Sequence, residues 1–465
     1  MNTPILSKRY PQDLISLVSK YNVPGPRYTS YPTALQFTDT FDQDTLYEYL
    51  NNRRQTRKSL SLYIHIPFCH SLCWYCGCTK VITKDPASAD KYIDYLEKEI
   101  HLTMPTIHPD SVIKQIHFGG GTPTFLLPEQ IFRIGEIINR SYNLHPDNEF
   151  SVEIDPRRVH EEHINALKEI GCTRASLGVQ DTNEEVQKAI HRIQPFGQTK
   201  HITDLLRNAG IKNINFDLIY GLPKQSLTTF RDTLTNVLSM NPDRLAIYSY
   251  AHMPDLMPSQ KLLNEDDFPS TTDKLSMLIY AVETLPNLGY TFIGMDHFAK
   301  SDDELSLALQ NETLQRNFQG YSTHADLEMI GLGMSAISQN SEIYRQNEKA
   351  LPAYYSALDS EKLPIQKILK LTDEDQIRKK IIMQIMCKAE LNFDKYPEKF
   401  GFNFQQIFKS ELERISEFES DGLIIKLKNG FRISNTGRLF LRNIAMVFDT
   451  YLSQHQKKRS YSKTV

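Results

Sequence analysis

The chain has 465 residues, of which 40% are apolar and 23% are charged, and its formal net charge is −3. This length allows two or three domains with sizeable cores. The near-neutral charge gives no reason to expect nucleic acid or an anionic membrane as a partner, and no apolar run approaches the roughly 18–20 residues that span a bilayer. No secretory signal opens the sequence, so we expect a protein of the reducing cytoplasm.

Residues 1–55 are predicted to form an N-terminal extension that wraps around the next unit. Its segment Arg27-Tyr-Thr-Ser-Tyr-Pro32 is aromatic and stiffened by proline. Such a segment can simply cover its neighbour or can reach the active site, and both interpretations stay open.

Residues 56–300 alternate between strand-like and helix-like patterns. Apolar residues recur with period two from Leu60 to Ile66, and helical spacing follows from Tyr92 to Ile100. Repeated βα units of this length predict an α/β fold with a parallel sheet, here a partial (β/α)6-type barrel. The further strand candidates are residues 113–118, 150–154, 175–179, 214–218 and 245–248.

Four cysteines lie within ten residues, at Cys69, Cys73, Cys76 and Cys78. The first three have the spacing C-x3-C-x2-C, which can hold three irons of a [4Fe–4S] cluster and leaves the fourth iron open to a small molecule. A zinc site using all four thiols fits poorly, because no second pair of Cys or His ligands follows. Disulfides are disfavoured, because only six cysteines occur in the whole chain.

Polar residues follow the predicted strands at the points where the strands end. The run Gly119-Gly-Gly-Thr122 ends the second strand, Glu153 and Asp155 the third, Gln180 the fourth and Asp217 the fifth. Each of these residues alone is weak evidence for a functional site, because an Asp or Gln at a strand end more often caps a helix. Together with the cysteine loop after the first strand, they predict a shared site at the C-terminal mouth of the barrel. The glycines would let backbone amides approach a polar ligand closely.

The last part of the chain has a different pattern. Residues 301–365 are predicted to connect the barrel to a C-terminal domain and to contribute to the active site. Two helix-like stretches, a hairpin signal at Asn429-Gly430 and a final helix predict a small winged-helix-like α+β domain over residues 366–455. Its mixed charge favours packing or substrate covering over DNA binding. Residues 456–465 are predicted to be a flexible tail.

These motifs resemble those of the radical S-adenosylmethionine superfamily and, more narrowly, of the oxygen-independent coproporphyrinogen III oxidases (dehydrogenases) of heme biosynthesis. The resemblance runs nearly end to end. Cys78 is its sharpest discriminator, because related heme chaperones usually carry an aromatic residue there. The matching segments are residues 28–33, 63–69, 119–123, 153–156, 178–181, 217–225, 294–298 and 316–321.

The resemblance implies one [4Fe–4S] cluster per chain and S-adenosylmethionine as cofactors. Cys69, Cys73 and Cys76 would hold the cluster, and Cys78 would not. The first S-adenosylmethionine, on the open iron, would be contacted by Tyr63, Gly120, Glu153 and Ile337.

The family is also described with a second S-adenosylmethionine molecule near the first. Where the family often has Phe, this chain has Tyr75, a mild change that should preserve stacking. The positions that match contacts to this second molecule are Tyr75, Gly121, Thr122, Gln180, Arg192, Asp217 and Ala251.

The implied reaction is the oxidative decarboxylation of two propionates of coproporphyrinogen III to vinyl groups, through a 5′-deoxyadenosyl radical, giving protoporphyrinogen IX. No side chain is assigned as an acid or base. The implied partners are an electron donor for the cluster and a final electron acceptor, and we expect a monomer. Two alternatives stay open, a heme-binding chaperone and a radical methyltransferase acting on heme; Cys78 and the segment at residues 28–32 argue against the chaperone.

Overall fold

A computed structural model describes residues 14–324, 327–396, 403–452 and 461–464. Strands and helices alternate through most of these residues. The strands are β1 Ser59–Ile66, β2 Phe68–Cys69, β3 Val81–Ile82, β4 Val112–Gly120, β5 Asn143–Ile154, β6 Arg174–Gln180, β7 Asn213–Tyr220, β8 Arg244–Ser249, β9 Tyr290–Gly294, β10 His297–Lys300, β11 Gln315–Asn317, β12 Gly320–Ser322, β13 Glu328–Leu332, β14 Ile337–Gln339, β15 Ile343–Asn347, β16 Ile365–Lys370, β17 Glu390–Asn392, β18 Ile424–Leu427 and β19 Gly430–Ile433. The helices are α1 Leu14–Tyr21, α2 Gln43–Arg54, α3 Ala87–Thr103, α4 Pro128–Ser141, α5 Glu161–Glu169, α6 Glu184–Ala189, α7 Phe196–Asn208, α8 Leu227–Ser239, α9 Thr271–Asn287, α10 Glu304–Gln310, α11 Leu351–Asp359, α12 Asp373–Lys388, α13 Phe404–Ile407, α14 Lys409–Ser420 and α15 Leu441–Met446.

Several helices begin at a side chain that caps their first turn. Asp42 caps α2, Ser226 caps α8, Ser270 caps α9 and Thr372 caps α12, and each accepts a hydrogen bond from a backbone N–H of that turn. Capping satisfies N–H groups that have no partner inside the helix. The helix starts are therefore fixed by local sequence.

One mixed sheet of twelve strands organises the described residues, in the order β16-β15-β14-β13-β1-β4-β5-β6-β7-β8-β10-β9. The strands β1, β4, β5, β6, β7 and β8 run parallel, which confirms the predicted partial (β/α)6-type fold. Parallel neighbours bring their C-terminal ends to one edge of the sheet, where ligands bind in open or barrel-like α/β folds.

A seventh parallel strand was not predicted from the sequence. Strand β13 pairs with β1 from Leu60 opposite Glu328 to Ile64 opposite Leu332. All five of its residues are buried, so it lacks the alternation that marks a strand with one exposed face. Strand β13 lies beyond the predicted barrel range of 56–300. Its partner β1 lies at the start of that range, so the pairing joins distant parts of the chain.

The main core lies between this sheet and the surrounding helices. On α3, Tyr92, Ile93, Leu96 and Ile100 are fully buried, as their helical spacing predicted. The same helix carries Glu99, whose carboxylate has no cationic partner that it bonds directly in the described residues.

Glu99 instead fixes the loop that follows β13. Its carboxylate accepts hydrogen bonds from Gly333 N at 2.7 Å, Asn347 Nδ2 at 2.6 Å and Tyr354 Oη at 2.7 Å. Burial raises the pKa of Glu99, because a charged group is poorly solvated there. The three donors hold the chain that leads to Ile337 on β14.

A second core contains the C-terminal elements in the predicted order of helix, helix, hairpin and helix. Strands β18 and β19 form the hairpin, and β17 adds a third strand. Helix α1 packs on this part, with the ring of Tyr21 stacked 4.9 Å from that of Phe418. The buried hydroxyl of Tyr28 donates to Asp449 at 2.9 Å, so the predicted N-terminal extension contacts the C-terminal elements.

The predicted domain boundaries fall partly outside the described residues. The predicted tail at 456–465 is described only at 461–464, where Lys463 forms a β-bridge with Pro24. Among the described residues, no helix combines the length and the apolar character that crossing a membrane requires.

Candidate active site

The cysteine loop leaves the sheet at the C-terminal end of β1. A short parallel pairing of β2 with β3 closes its base, with Val81 N donating to Pro67 O at 2.8 Å. The loop carries Cys69, Cys73 and Cys76 as free thiols, with Cys73 buried and the other two half-buried. The loop that carries the three thiols is thus tied at its base by the two short strands.

Each of the three sulfurs has a polar neighbour. Cys69 Sγ lies 3.3 Å from Thr122 Oγ1, and Cys76 Sγ accepts a hydrogen bond of 3.4 Å from Cys78 N. Hydrogen bonding from Cys78 lowers the pKa of Cys76 to about 6, whereas burial raises the pKa of Cys69 to about 11.

Two arginines face the sulfur of Cys73. Arg157 Nη2 lies 3.5 Å and Arg192 Nη1 3.6 Å from Cys73 Sγ. Cationic donors offset the negative charge of metal-bound thiolates, and such outer contacts tune metal sites. Three thiols on one loop, supported by these donors, fit a cluster bound through three irons.

The same arginines meet at Asp155, at the end of β5. Arg157 Nη2 lies 2.6 Å and Arg192 Nη1 3.2 Å from its Oδ2, and Arg192 Nη2 donates to Gly178 O at 2.7 Å. Burial opposes the ionisation of Asp155, but the two guanidinium groups hold its pKa well below the usual range. Arg157 was not among the predicted site residues; the run Asp155-Pro-Arg-Arg158 is the only sequence signal for it.

The glycine run packs the end of β4 against the end of β1. A Cβ at Gly121 would lie 2.4 Å from Pro67 O, and Gly120 has φ +114°, where a Cβ would lie 2.6 Å from the ring of His65. Gly121 N donates to Ile66 O at 2.8 Å. The glycines therefore allow a close approach of backbone to the root of the cysteine loop, a packing role that the sequence alone did not show.

Glu153 lies beside this glycine run. Its carboxylate accepts from Gly120 N at 3.2 Å and lies 3.4 Å from His117 Nε2. The ring of His117 stacks 5.8 Å from that of Tyr63, whose hydroxyl is 3.1 Å from His65 Nδ1. The structure thus brings Tyr63, Gly120 and Glu153 together, and it adds His117, which the sequence left ambiguous.

Ile337 approaches the same group from β14. Its carbonyl oxygen would lie 2.4 Å from a Cβ at Gly331, and Gly331 pairs with Tyr63 across β13 and β1. All four residues expected around the first S-adenosylmethionine therefore lie on neighbouring strands.

Two of the residues expected around the second molecule, Tyr75 and Ala251, are linked by a side chain that the sequence did not single out. The amide of Gln260 donates to Tyr75 O at 3.0 Å and to Ala251 O at 3.1 Å. Gln180 has a left-handed backbone conformation, with φ +67°. Its Nε2 lies so close to Gly178 that a Cβ at that glycine would be only 2.8 Å away. Gln260 is buried and joins the segment after β8 to the cysteine loop.

Asp217, on β7, faces the interior of the parallel strands. It accepts hydrogen bonds of 2.9 Å from Ser176 Oγ and from Asn215 Nδ2. Burial, and then the charge of Glu153, raise its pKa to about 6. No cation bonds its carboxylate directly in the described residues, so its ionised form is costly.

We expect Asp217→Asn to stabilise the cofactor-free protein above pH 6. Because the folded pKa is raised, the folded state binds more protons than the unfolded state between about pH 4 and pH 6, and stability falls as the pH rises through that window. The ionised carboxylate then costs roughly 3 kcal/mol, which Asn avoids. Urea unfolding at several pH values checks this.

The advantage of Asp217→Asn should shrink progressively as the pH falls from 6 to 4. The matched control is Asp204→Asn, on the exposed face of α7, where the lost partner is Lys200 at 2.6 Å; it should change stability by less than about 1 kcal/mol at every pH. A gain for Asp217→Asn that is equal at pH 4 and pH 7.5 would contradict the assignment of this cost to ionisation.

Comparisons with known proteins match nearly the whole chain. The profile of the radical SAM superfamily matches residues 63–237, and that of the HemN C-terminal domain matches residues 371–440. The oxygen-independent coproporphyrinogen III oxidase of Helicobacter pylori strain J99 is 44% identical over 450 residues, which are 96% of this chain and 98% of the relative. The Escherichia coli protein of the same name is 39% identical over 451 residues, 97% of this chain and 98% of the relative.

A solved structure leads to the same family. Coproporphyrinogen III oxidase from Escherichia coli, described as a radical SAM enzyme, superimposes with a TM-score of 0.89 at 38% identity and covers 94% of this chain and 98% of its own. Identity at this level over nearly full length establishes common descent and a common fold. The chain therefore belongs to the oxygen-independent coproporphyrinogen III oxidase family of the radical SAM superfamily.

Proposed function

We propose that this chain catalyses the oxygen-independent oxidative decarboxylation of two propionate side chains of coproporphyrinogen III to vinyl groups, giving protoporphyrinogen IX. The observation that carries the proposal is the full-length identity with relatives of that name, combined with three free thiols at the C-terminal end of β1. The enzyme is a radical SAM oxidoreductase.

The cofactors in this proposal are one [4Fe–4S] cluster and S-adenosylmethionine, with a second S-adenosylmethionine alongside. When bound, they supply the one-electron chemistry that generates the 5′-deoxyadenosyl radical. Cys69, Cys73 and Cys76 hold the cluster. Arg157 and Arg192 place positive charge 3.5–3.6 Å from Cys73 Sγ, which would offset the negative charge of the cluster and its thiolate ligands.

The chain positions the reactants and uses no side chain as an acid or base. Tyr63, Gly120, Glu153 and Ile337 bind the first S-adenosylmethionine. Around the second molecule we place Tyr75, Gly121, Thr122, Gln180, Arg192, Asp217 and Ala251. A primary alkyl radical attacks whatever is closest, so these residues must hold the propionate near the reacting carbon and exclude water and oxygen.

The remaining partners follow from the electron balance. The cluster needs an electron donor, and loss of carbon dioxide from the substrate leaves an electron for a final acceptor. We propose that the chain is a monomer. We also propose that it works in the cytoplasm, because all six cysteines are unpaired thiols, as a reducing compartment would keep them.

The comparisons favour an oxidase over the two alternatives, a heme-binding chaperone and a heme methyltransferase. The relatives above share the name oxidase over 96–97% of this chain. Cys78, which departs from the aromatic residue of the chaperones, agrees with that.

An anaerobic assay tests the function. Reconstituted protein would receive S-adenosylmethionine, a reductant, coproporphyrinogen III and cell extract as electron acceptor, and the products would be identified by mass spectrometry. We expect loss of two carboxyl groups with matching 5′-deoxyadenosine. 5′-Deoxyadenosine without decarboxylated product would contradict the substrate, and a methylated product would support the methyltransferase.

A further inference from the structure

His297 lies at the same level of the sheet as Asp217 and faces the same side. It pairs with Ala246 of β8, and Ala246 pairs with Asp217 of β7. Directly opposed residues on neighbouring strands project to one face. On β7 the half-buried Asn215 and Asp217 alternate with buried apolar residues that face the helices, so this face is the interior of the parallel strands.

The ring of His297 is held between two tyrosines. The ring centroid of Tyr321 is 5.3 Å away and that of Tyr248 5.8 Å away, both nearly perpendicular to the imidazole. Burial, and then the charge of Arg316, lower the pKa of His297 to about 4. The imidazole is therefore neutral at the pH at which the enzyme works.

The tautomer of this neutral ring is fixed. Nδ1 lies 2.7 Å from Met295 O, and a carbonyl oxygen can only accept, so Nδ1 carries the proton and Nε2 keeps a lone pair. No hydrogen-bond donor to Nε2 is found in the described parts of the chain. Gly320 faces this atom, and even a Cβ there would stay 3.8 Å from it. Nε2 is thus an acceptor without a donor among the described residues, and the missing side chain of Gly320 leaves space beside it.

We propose that His297 Nε2 accepts a hydrogen bond from a pyrrole N–H of the tetrapyrrole substrate. This inference rests on the proposed function. All four nitrogens of a porphyrinogen carry hydrogen, whereas an oxidised porphyrin has two N–H groups and two lone pairs. A neutral acceptor of fixed tautomer can accept a hydrogen bond from any nitrogen of the reduced macrocycle. In the oxidised porphyrin it would face a lone pair at two of the four nitrogens, which is repulsive. The Arg27 and Arg316 guanidinium groups lie 5.5 Å and 4.5 Å from the ring centroids of Tyr248 and Tyr321, so positive charge that can attract the propionates of the substrate lies beside the imidazole.

Two substitutions separate this binding role from a structural role. In His297→Asn the side-chain amide is as far from Cβ as Nδ1, so it can keep the bond to Met295 O but lacks an acceptor at the Nε2 position. In His297→Gln the amide reaches the Nε2 position and can offer its oxygen there. The matched control is His201→Asn, on the exposed face of α7.

The experiment measures binding without turnover. Reconstituted protein with S-adenosylmethionine but no reductant would be dialysed anaerobically against coproporphyrinogen III, and bound tetrapyrrole would be oxidised and counted by porphyrin fluorescence. We expect Kd to rise roughly tenfold or more for His297→Asn and to stay within about threefold for His297→Gln. The control and the affinity for S-adenosylmethionine should be unchanged, and coproporphyrin III should lose less affinity in His297→Asn than the porphyrinogen does.

Each outcome has one meaning. Equal binding by wild type and His297→Asn, or an equal loss in both variants together with a lower melting temperature, would overturn the inference and leave the proposed function intact. Failure of the wild type to bind or convert coproporphyrinogen III would overturn the proposed function, and the inference with it.

Discussion

Cys69→Ala is expected to lose the iron–sulfur cluster and, with it, all conversion of coproporphyrinogen III. Three thiols must each hold one iron, and removal of one leaves two protein ligands on a cluster that already has an open iron. Iron and sulfide analysis after anaerobic reconstitution should show cluster content near zero, and 5′-deoxyadenosine should fall to the background of the assay.

Two other cysteines are controls for that experiment. Cys172 is buried on the way into β6, where its thiol donates to Arg174 O at 3.3 Å, and Cys172→Ala should keep full iron content. Cys78→Ala tests the fourth thiol of the loop, which we predict is not a ligand. Loss of iron from Cys78→Ala but not from Cys69→Ala would show that the ligand assignment is wrong.

Gly121→Ala is expected to damage the site as severely as many ligand mutations, although the glycine holds no metal. Its new Cβ would lie 2.4 Å from Pro67 O and 2.9 Å from Phe68 O. Both are backbone atoms, which cannot swing away as a flexible side chain can. Such overpacking costs about 1–3 kcal/mol or more, and the chain that must move carries Cys69.

We therefore expect Gly121→Ala to lower iron content and to reduce turnover by tenfold or more, measured on the same reconstituted samples. Gly197→Ala is the matched control. A Cβ added at Gly197, in the first turn of α7, would have no heavy atom within 4 Å, so alanine should leave turnover unchanged and stabilise the helix by about 0.5–1 kcal/mol. Wild-type turnover in Gly121→Ala would refute the packing role.

The parts of the fold that the sequence predicted have local causes. The apolar alternation from Leu60 to Ile66 arises because one face of β1 packs in the main core, and the helical spacing of α3 arises because one face of that helix does. Both patterns can therefore be recognised within a short stretch of sequence. The proposed cluster ligands were also predicted from a short stretch, because Cys69, Cys73 and Cys76 share one loop and have the spacing typical of a three-thiol cluster site. The proposal that Glu153 and Asp217 contact a cofactor came only from the resemblance to known proteins.

What the sequence did not predict depends on contacts between distant residues. Strand β13 has no alternation because it is buried on both faces, and Arg157 meets Cys73 only because β5 and the cysteine loop end at the same edge of the sheet. The position of His297 Nε2, which has no donor within the described ranges, likewise depends on Met295 O, Gly320 and the register of β10. By itself, the sequence determined most of the parallel strands and their helices and led to the prediction of a cluster at the cysteine loop, since these signals lie within short stretches. The tertiary structure decided which side chains meet at the C-terminal edge of the parallel strands. Strand register and loop packing bring together residues that are far apart in the sequence, and no sequence pattern indicates that they are in contact.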